Sequence, residues 1–225
     1  MRQGRWIAVA VGFAAAVTLA APAGAGVKVA ATDKAILHAG VLTAADGVPS
    51  TWTSAKQTDT GSKQFKGIAS CKQIAAAMDL ARRGPRAFSP KFSDPAATSS
   101  AEAENSVYAF KTVKAAQRYL SPYEASNVTT CLEQSLKKAV GGKAQVTVAP
   151  ISNLQGVGDQ SVGFEASITV TDQSGNPVHV IADVIGVRVR RAFVGFDFSN
   201  NDVSLPQGPS IVNTVVSRLT STVNG

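Results

Sequence analysis

The sequence predicts an α+β fold: a twisted antiparallel sheet with a C-terminal three-strand meander, flanked by helices. Three observations carry this. Phe164, Ala166, Ile168 and Val170 fall on one side of residues 164–171, and Glu165, Ser167, Thr169 and Thr171 on the other; this is the two-residue period of a strand. The turn signal Gln173-Ser-Gly-Asn-Pro177 leads into Val178 to Val187, apolar on both sides and hence a central strand. A turn at Arg190-Arg191 then opens Ala192 to Ser199, which completes an antiparallel meander.

The remaining elements follow in order. Asp33 can cap a short helix carrying Ile36, Leu37 and Val41. Thr43-Ala-Ala-Asp46 starts a turn before Gly47, and Trp52 to Thr60 alternates weakly as a strand. Ser70 and Gln73 have capping-box spacing ahead of a helix striped by Cys71, Ile74, Ala75, Met78 and Ala81, and Gly84-Pro85 stops it. Residues 87–93 read as a strand interrupted by Pro90, residues 94–104 as a polar loop, and Ser106 to Phe110 as a short strand. Thr112 to Val140 is helical but broken near Pro122 and Asn127; Thr130 and Glu133 form a second capping-box pair, and Gly141-Gly142 ends the stretch. Gln145 to Pro150 alternates as a strand. Pro209 starts a last helix with Ile211, Val212, Val215, Val216, Leu219 and Val223 on one face.

The N-terminus bears on location. Arg2 and Arg5 precede an uncharged run of 16 residues, Trp6 to Ala21, followed by Ala21-Pro22-Ala23 and Ala23-Gly24-Ala25. That order is a secretory signal peptide. The run falls short of the roughly 20 residues of a spanning helix. The expectation is a cleaved leader over 1–25, one domain over 26–225, and a secreted or cell-envelope location without a later membrane span.

Apolar residues make up 44 % of the 225 and charged ones 16 %, which suits a chain that buries a core. The net charge is +7, and +5 once residues 1–25 are removed. The basic residues form no run, so nucleic acid is not an expected partner; outside the cell the surplus points to solubility or weak attraction for an anionic envelope. Two Cys and two His leave a zinc site short of ligands, and neither metal nor cofactor is expected. In an exported chain Cys71 and Cys131 most simply form one structural disulfide, worth roughly 4 kcal/mol in the loop-entropy model.

Motifs for chemistry fail in detail. Gly156-Val-Gly158-Asp159-Gln-Ser161-Val-Gly163 has Ser161 where a dinucleotide loop needs glycine, and Asp159 where G-x-S-x-G needs it. Lys143 is not followed by Ser or Thr, so it belongs to no P-loop. His179 and Asp183 lie four apart on one strand side without a nucleophile motif. Glu102 and Glu104, and Asp197 and Asp202, read as loop or strand-end carboxylates. Catalytic residues are therefore not assigned. The candidate ligand-binding residues are Arg188 and Arg190, whose planar forks suit carboxylate or phosphate, with His179 beside them and Phe193 as an apolar wall. Phe196 and Phe198, on the other face, belong to the core.

Taken together, these residues resemble a family. Ile36-Leu37, Thr43-Ala-Ala-Asp46, Trp52, the Cys-led helix at Cys71 and Ser106-Val-Tyr-Ala-Phe110 come first. Ala115-Ala116, a helix opened by Cys131, Gly156-Val-Gly158-Asp159 and Val184-Ile-Gly-Val-Arg188 with Arg190-Arg191 complete the pattern. Over about residues 33–223 this is similar to the actinobacterial sensor-like extracellular domains typified by PknH-type serine/threonine kinases. The resemblance implies a twisted antiparallel sheet, flanking helices and a cleft. Kinase members carry two disulfides where this chain can form one. The reading is a non-catalytic exported binding domain for a small-molecule or envelope-derived ligand, with a protein partner as a further option. The alternatives are a secreted hydrolase and a carrier of lipids or other apolar molecules.

Overall fold

A computed structural model describes residues 31–57, 61–96, 101–141, 144–172 and 174–224. The leader over 1–25, residues 26–30 and the glycine stop at Gly142 lie outside the described residues. Eight strands form one sheet: β1 Thr53–Ala55, β2 Arg86–Phe88, β3 Lys91–Ser93, β4 Glu102–Ala109, β5 Gln145–Pro150, β6 Gln160–Thr171, β7 Pro177–Val189 and β8 Ala192–Asn201. The order is β1-β3-β4-β8-β7-β6-β5, with β2 also on β4. Every pairing is antiparallel, so the α+β expectation holds and the meander is its centre.

Pro90 interrupts the strand before β4. β2 and β3 pair with the two ends of β4, and Ser89 bridges the gap: its N–H donates to the Asn105 carbonyl and its Oγ accepts from the Asn105 N–H. A proline has no N–H to give a ladder. β4 itself begins at Glu102, so Glu102 and Glu104 belong to a strand where the sequence suggested a loop.

Helices cover both faces. α1 (Ala31–Gly40) and α5 (Gly208–Asn224) bury Ile36, Ile211, Val215 and Leu219 against Val187, Val194, Phe196 and Phe198. α2 (Lys72–Ala81), α3 (Val113–Leu120) and α4 (Val128–Ala139) lie on the opposite face, with Ile74, Met78, Tyr119 and Leu132 over Phe164, Val184 and Phe193. A sheet apolar on both sides needs a layer on each. The two sets alternate along β8: Ala192, Val194, Phe196 and Phe198 face α1 and α5, while Phe193 faces α3.

Cys71 and Cys131 are bonded, with Cα atoms 4.9 Å apart, which ties α2 to α4 beneath the layer. Neither predicted capping box forms. Cys71 precedes α2, and Cys131 lies inside the first turn of α4 rather than at its start. Ser70 instead donates to Gln134, and Glu133 accepts the N–H of Val148 on the outer strand β5. Asp33 likewise lies inside α1 and pairs with Arg191.

Buried polar groups fasten α1. Asn105 is fully buried on β4; its Oδ1 accepts the Leu42 N–H at 2.9 Å and its Nδ2 donates to the Gly40 carbonyl at 2.7 Å. Arg218 of α5 donates to the Ala39 and Val41 carbonyls and pairs with Asp46. Burial pushes the Asp46 carboxyl up, but hydrogen bonds from Arg218 and Thr43 outweigh it and hold the carboxyl below its ordinary range.

Candidate functional site

The predicted ligand residues separate. Arg188 is buried on β7; its Nε donates to Gln160 at 3.0 Å, and its Nη1 to Asp159 and the Arg190 carbonyl, each at 3.1 Å. Asp159 also accepts the Arg190 N–H and gives its own N–H to the Arg188 carbonyl. The Gly156-Val-Gly158-Asp159 segment therefore clamps the β7–β8 turn. Gly158 has φ +66°, and a Cβ there would lie 2.5 Å from Val187 and 2.7 Å from the Arg188 carbonyl, so only glycine fits. Arg190 has φ +54° and is exposed at the tip of the turn. Phe193 is 1 % exposed beneath Tyr119, with ring centroids 4.8 Å apart. It is core, not a wall open to solvent. The sequence shows alternation along this strand but not the helix laid over that face.

His179 lies at the far end of β7. Its Nε2 is 2.8 Å from Ser167 Oγ, and its Nδ1 is 3.4 Å from Asp202, whose φ is +59°. Asp183 turns elsewhere, toward Ser204. Burial raises the Asp183 carboxyl, a hydrogen bond from Ser204 partly offsets this, and the neighbouring Glu165 charge adds to the rise. The acid–base–hydroxyl order of Asp202, His179 and Ser167 is that of a nucleophile relay. Sequence reasoning paired His179 with Asp183 because the two share one strand; the cross-strand register decided otherwise.

A second polar group was missed. Glu104 of β4 faces Asp197 of β8 directly across the ladder, and Glu102 faces Ser199. Glu104, Asp197, Ser199 and Ser106 are all buried on central strands, on the face covered by α2, α3 and α4. Tyr108, Tyr119 and Tyr123 pack in the same layer, with adjacent centroids 5.5 and 6.0 Å apart, and the Asp197 charge acts on Tyr119 and Tyr123. Burial raises the Glu104 carboxyl; the Lys91 charge opposes that and the Glu102 charge reinforces it. Burial also pushes the Tyr119 and Tyr123 hydroxyls well up, so both stay protonated donors. Lys91 and Glu102 pair at 2.7 Å and are partly exposed. Like-charged carboxylates directly opposite one another destabilise a sheet, and buried polar groups are the informative exception in a core. The signal was available only in part: alternation places Glu102 and Glu104 on one side, but β4 was read as starting at Ser106.

The described residues contain no group of three or more His, Cys, Asp or Glu arranged for a metal ion. No described helix is long and apolar enough to cross a membrane.

No family model matches the sequence, and no curated protein matches it. Among solved structures the chain is similar to the extracellular domain of PknH from Mycobacterium tuberculosis. The TM-score is 0.52 at 13 % identity, and the match covers 87 % of this chain and 100 % of that one. The likeness is one of fold, and it agrees with the resemblance carried by the sequence.

Two outcomes follow from this geometry. Arg188→Ala removes a buried partner of a half-exposed Asp159 and should cost about 2–3 kcal/mol in denaturant unfolding, whereas Arg190→Gly, at a positive φ on the surface, should stay within about 0.5 kcal/mol. Glu104 has a folded-state carboxyl pKa raised above that of the unfolded chain, so ionising it costs stability as pH rises past the ordinary carboxylate range. Glu104→Gln should melt above the parent at pH 7, and the difference should vanish below about pH 4, where Glu is protonated in both states; scanning calorimetry across that range checks it.

Proposed function

We propose that the chain is an exported, non-catalytic binding domain of the sensor-like kind, taking a small or envelope-derived ligand at the Glu104–Asp197 pair. The observation that carries this reading is the row of carboxyl and hydroxyl groups buried on central strands, where an ordinary core would be apolar. Its acceptors suit a ligand that brings N–H and O–H donors, such as an amino sugar or a diamino acid. Access would open beside the Lys91–Glu102 pair. The predicted leader over 1–25 and the fold shared with an extracellular domain support a location outside the membrane. A lipid carrier would want apolar groups here, and Glu104, Ser106, Asp197 and Ser199 are polar. Glu104 and Asp197 stand side by side on one sheet face, whereas the carboxylates of a glycosidase flank the scissile bond.

Calorimetric titration with glucosamine, diaminopimelate and inositol tests the reading. At least one probe should bind, and Glu104→Gln should weaken it roughly tenfold or more, the scale of a lost charge-assisted hydrogen bond. Binding by none, or equal binding by parent and variant, overturns it.

The secreted hydrolase is the second reading, favoured by the Asp202–His179–Ser167 relay alone. A fluorophosphonate probe should then label Ser167, and Ser167→Ala and His179→Ala should abolish the label. An unlabelled parent ends that reading and leaves the binding reading standing.

A further inference from the structure

The basic residues are dispersed in the sequence but gathered in the fold. Residues 61–86 and 111–141, which build the layer of α2, α3 and α4, hold eleven Lys and Arg against three Asp and Glu. The other described residues hold seven against eleven. Among the described residues the helical layer is therefore strongly cationic, while the remainder is acidic. The three acids of the layer are engaged elsewhere: Asp79 by Ser62, Glu124 by Gln160 and Glu133 by Val148. Among the described residues, Arg83, Lys111, Lys114 and Arg118 form no ion pair with them.

At one corner this charge meets exposed apolar surface. The Ala109 N–H donates to the Pro85 carbonyl, and the Phe110 N–H to the Arg191 carbonyl. These bonds bring together the end of α2, the start of α3 and the tip of the β7–β8 turn. Leu80 is 63 % exposed and Val113 40 %, two of the three large apolar residues so exposed among the described residues. Arg83, Lys111, Lys114 and Arg190 lie on these same three segments and are all exposed. The inner faces of the same helices are committed to the interior through Met78, Ala81, Ala116 and Leu120, while Leu80 and Val113 stay exposed.

We propose that this corner docks the domain on an anionic lipid bilayer. Leu80 and Val113 enter the headgroup boundary, and Arg83, Lys111, Lys114 and Arg190 meet lipid phosphates. Cationic side chains around exposed apolar ones are the composition of an interfacial contact, and the cationic layer behind them adds long-range attraction to a negative surface. The surface shares no residue with the Glu104–Asp197 pair, and it gives the exposed arginine of the turn a role as a phosphate contact.

Co-sedimentation with vesicles tests this, using the full chain throughout so that residues 1–30 contribute equally to parent and variants. Vesicles of three parts phosphatidylglycerol to seven of phosphatidylcholine should bind the parent at least tenfold better than phosphatidylcholine alone, and 0.5 M salt should remove the difference. Lys111→Glu with Lys114→Glu should lower binding tenfold or more. Lys137→Glu with Lys138→Glu, the same charge change on α4 near the opposite sheet edge, should lower it far less. Leu80→Ser with Val113→Ser should weaken vesicle binding severalfold while all variants melt as the parent does. Equal losses from the two charge pairs, indifference to the apolar pair, or equal binding to both vesicle types would each overturn the proposal. Soluble polyphosphate displacing the Leu80→Ser/Val113→Ser protein and the parent alike would mark a polyanion site instead, and would also overturn it.

Discussion

The central strands of this sheet have no wet face. Every residue from Val180 to Val189 and from Ala192 to Ser199 is buried, because α1 and α5 cover one side and α2, α3 and α4 the other. A polar side chain on these strands must find its partner inside the protein or cost about 1–3 kcal/mol. Much of the remaining structure answers that demand. Arg188 is satisfied by Asp159, Gln160 and the turn carbonyl. Asn105 is satisfied by the end of α1. In both cases the buried polar group fixes a segment that the apolar contacts alone would leave free to slide.

The same demand bears differently on different polar groups. Arg188, Asn105 and Arg218 each hold a loop or helix end through their hydrogen bonds. Glu104 and Asp197 place two carboxyl groups opposite each other across the ladder; burial disfavours the charge on Glu104, and a hydrogen bond with Gln57 opposes that. The cationic helical layer lies outside this accounting, since its charges are solvated and cost little until a surface of opposite sign approaches.

Much of the fold was readable where local pattern and tertiary need agree. Phe164 to Val170 alternated because only one side of β6 is well covered. Val178 to Val187 read as continuous because β7 is covered on both sides. Pro90 and the Pro122–Asn127 segment broke their elements for backbone reasons that hold in any context. The misreadings have a common origin. Ser70 with Gln73, and Thr130 with Glu133, had capping spacing, but Ser70 and Glu133 found partners across the fold, in Gln134 and Val148. Glu102 and Glu104 looked like loop residues because polar side chains at alternate positions suggest water, and on β4 they face a neighbouring helical layer.

By itself the sequence determined the antiparallel meander, the helices with their apolar faces and the two cysteines that meet, since period, turn residues and cysteine count are local or compositional facts. The tertiary structure alone decided which polar residues face one another. The pairing of Glu104 with Asp197, of His179 with Ser167 and Asp202, and of Arg188 with Asp159 depends on strand register and on the helices laid over each face. Those are set by the packing of the whole chain, and no spacing within one strand encodes them.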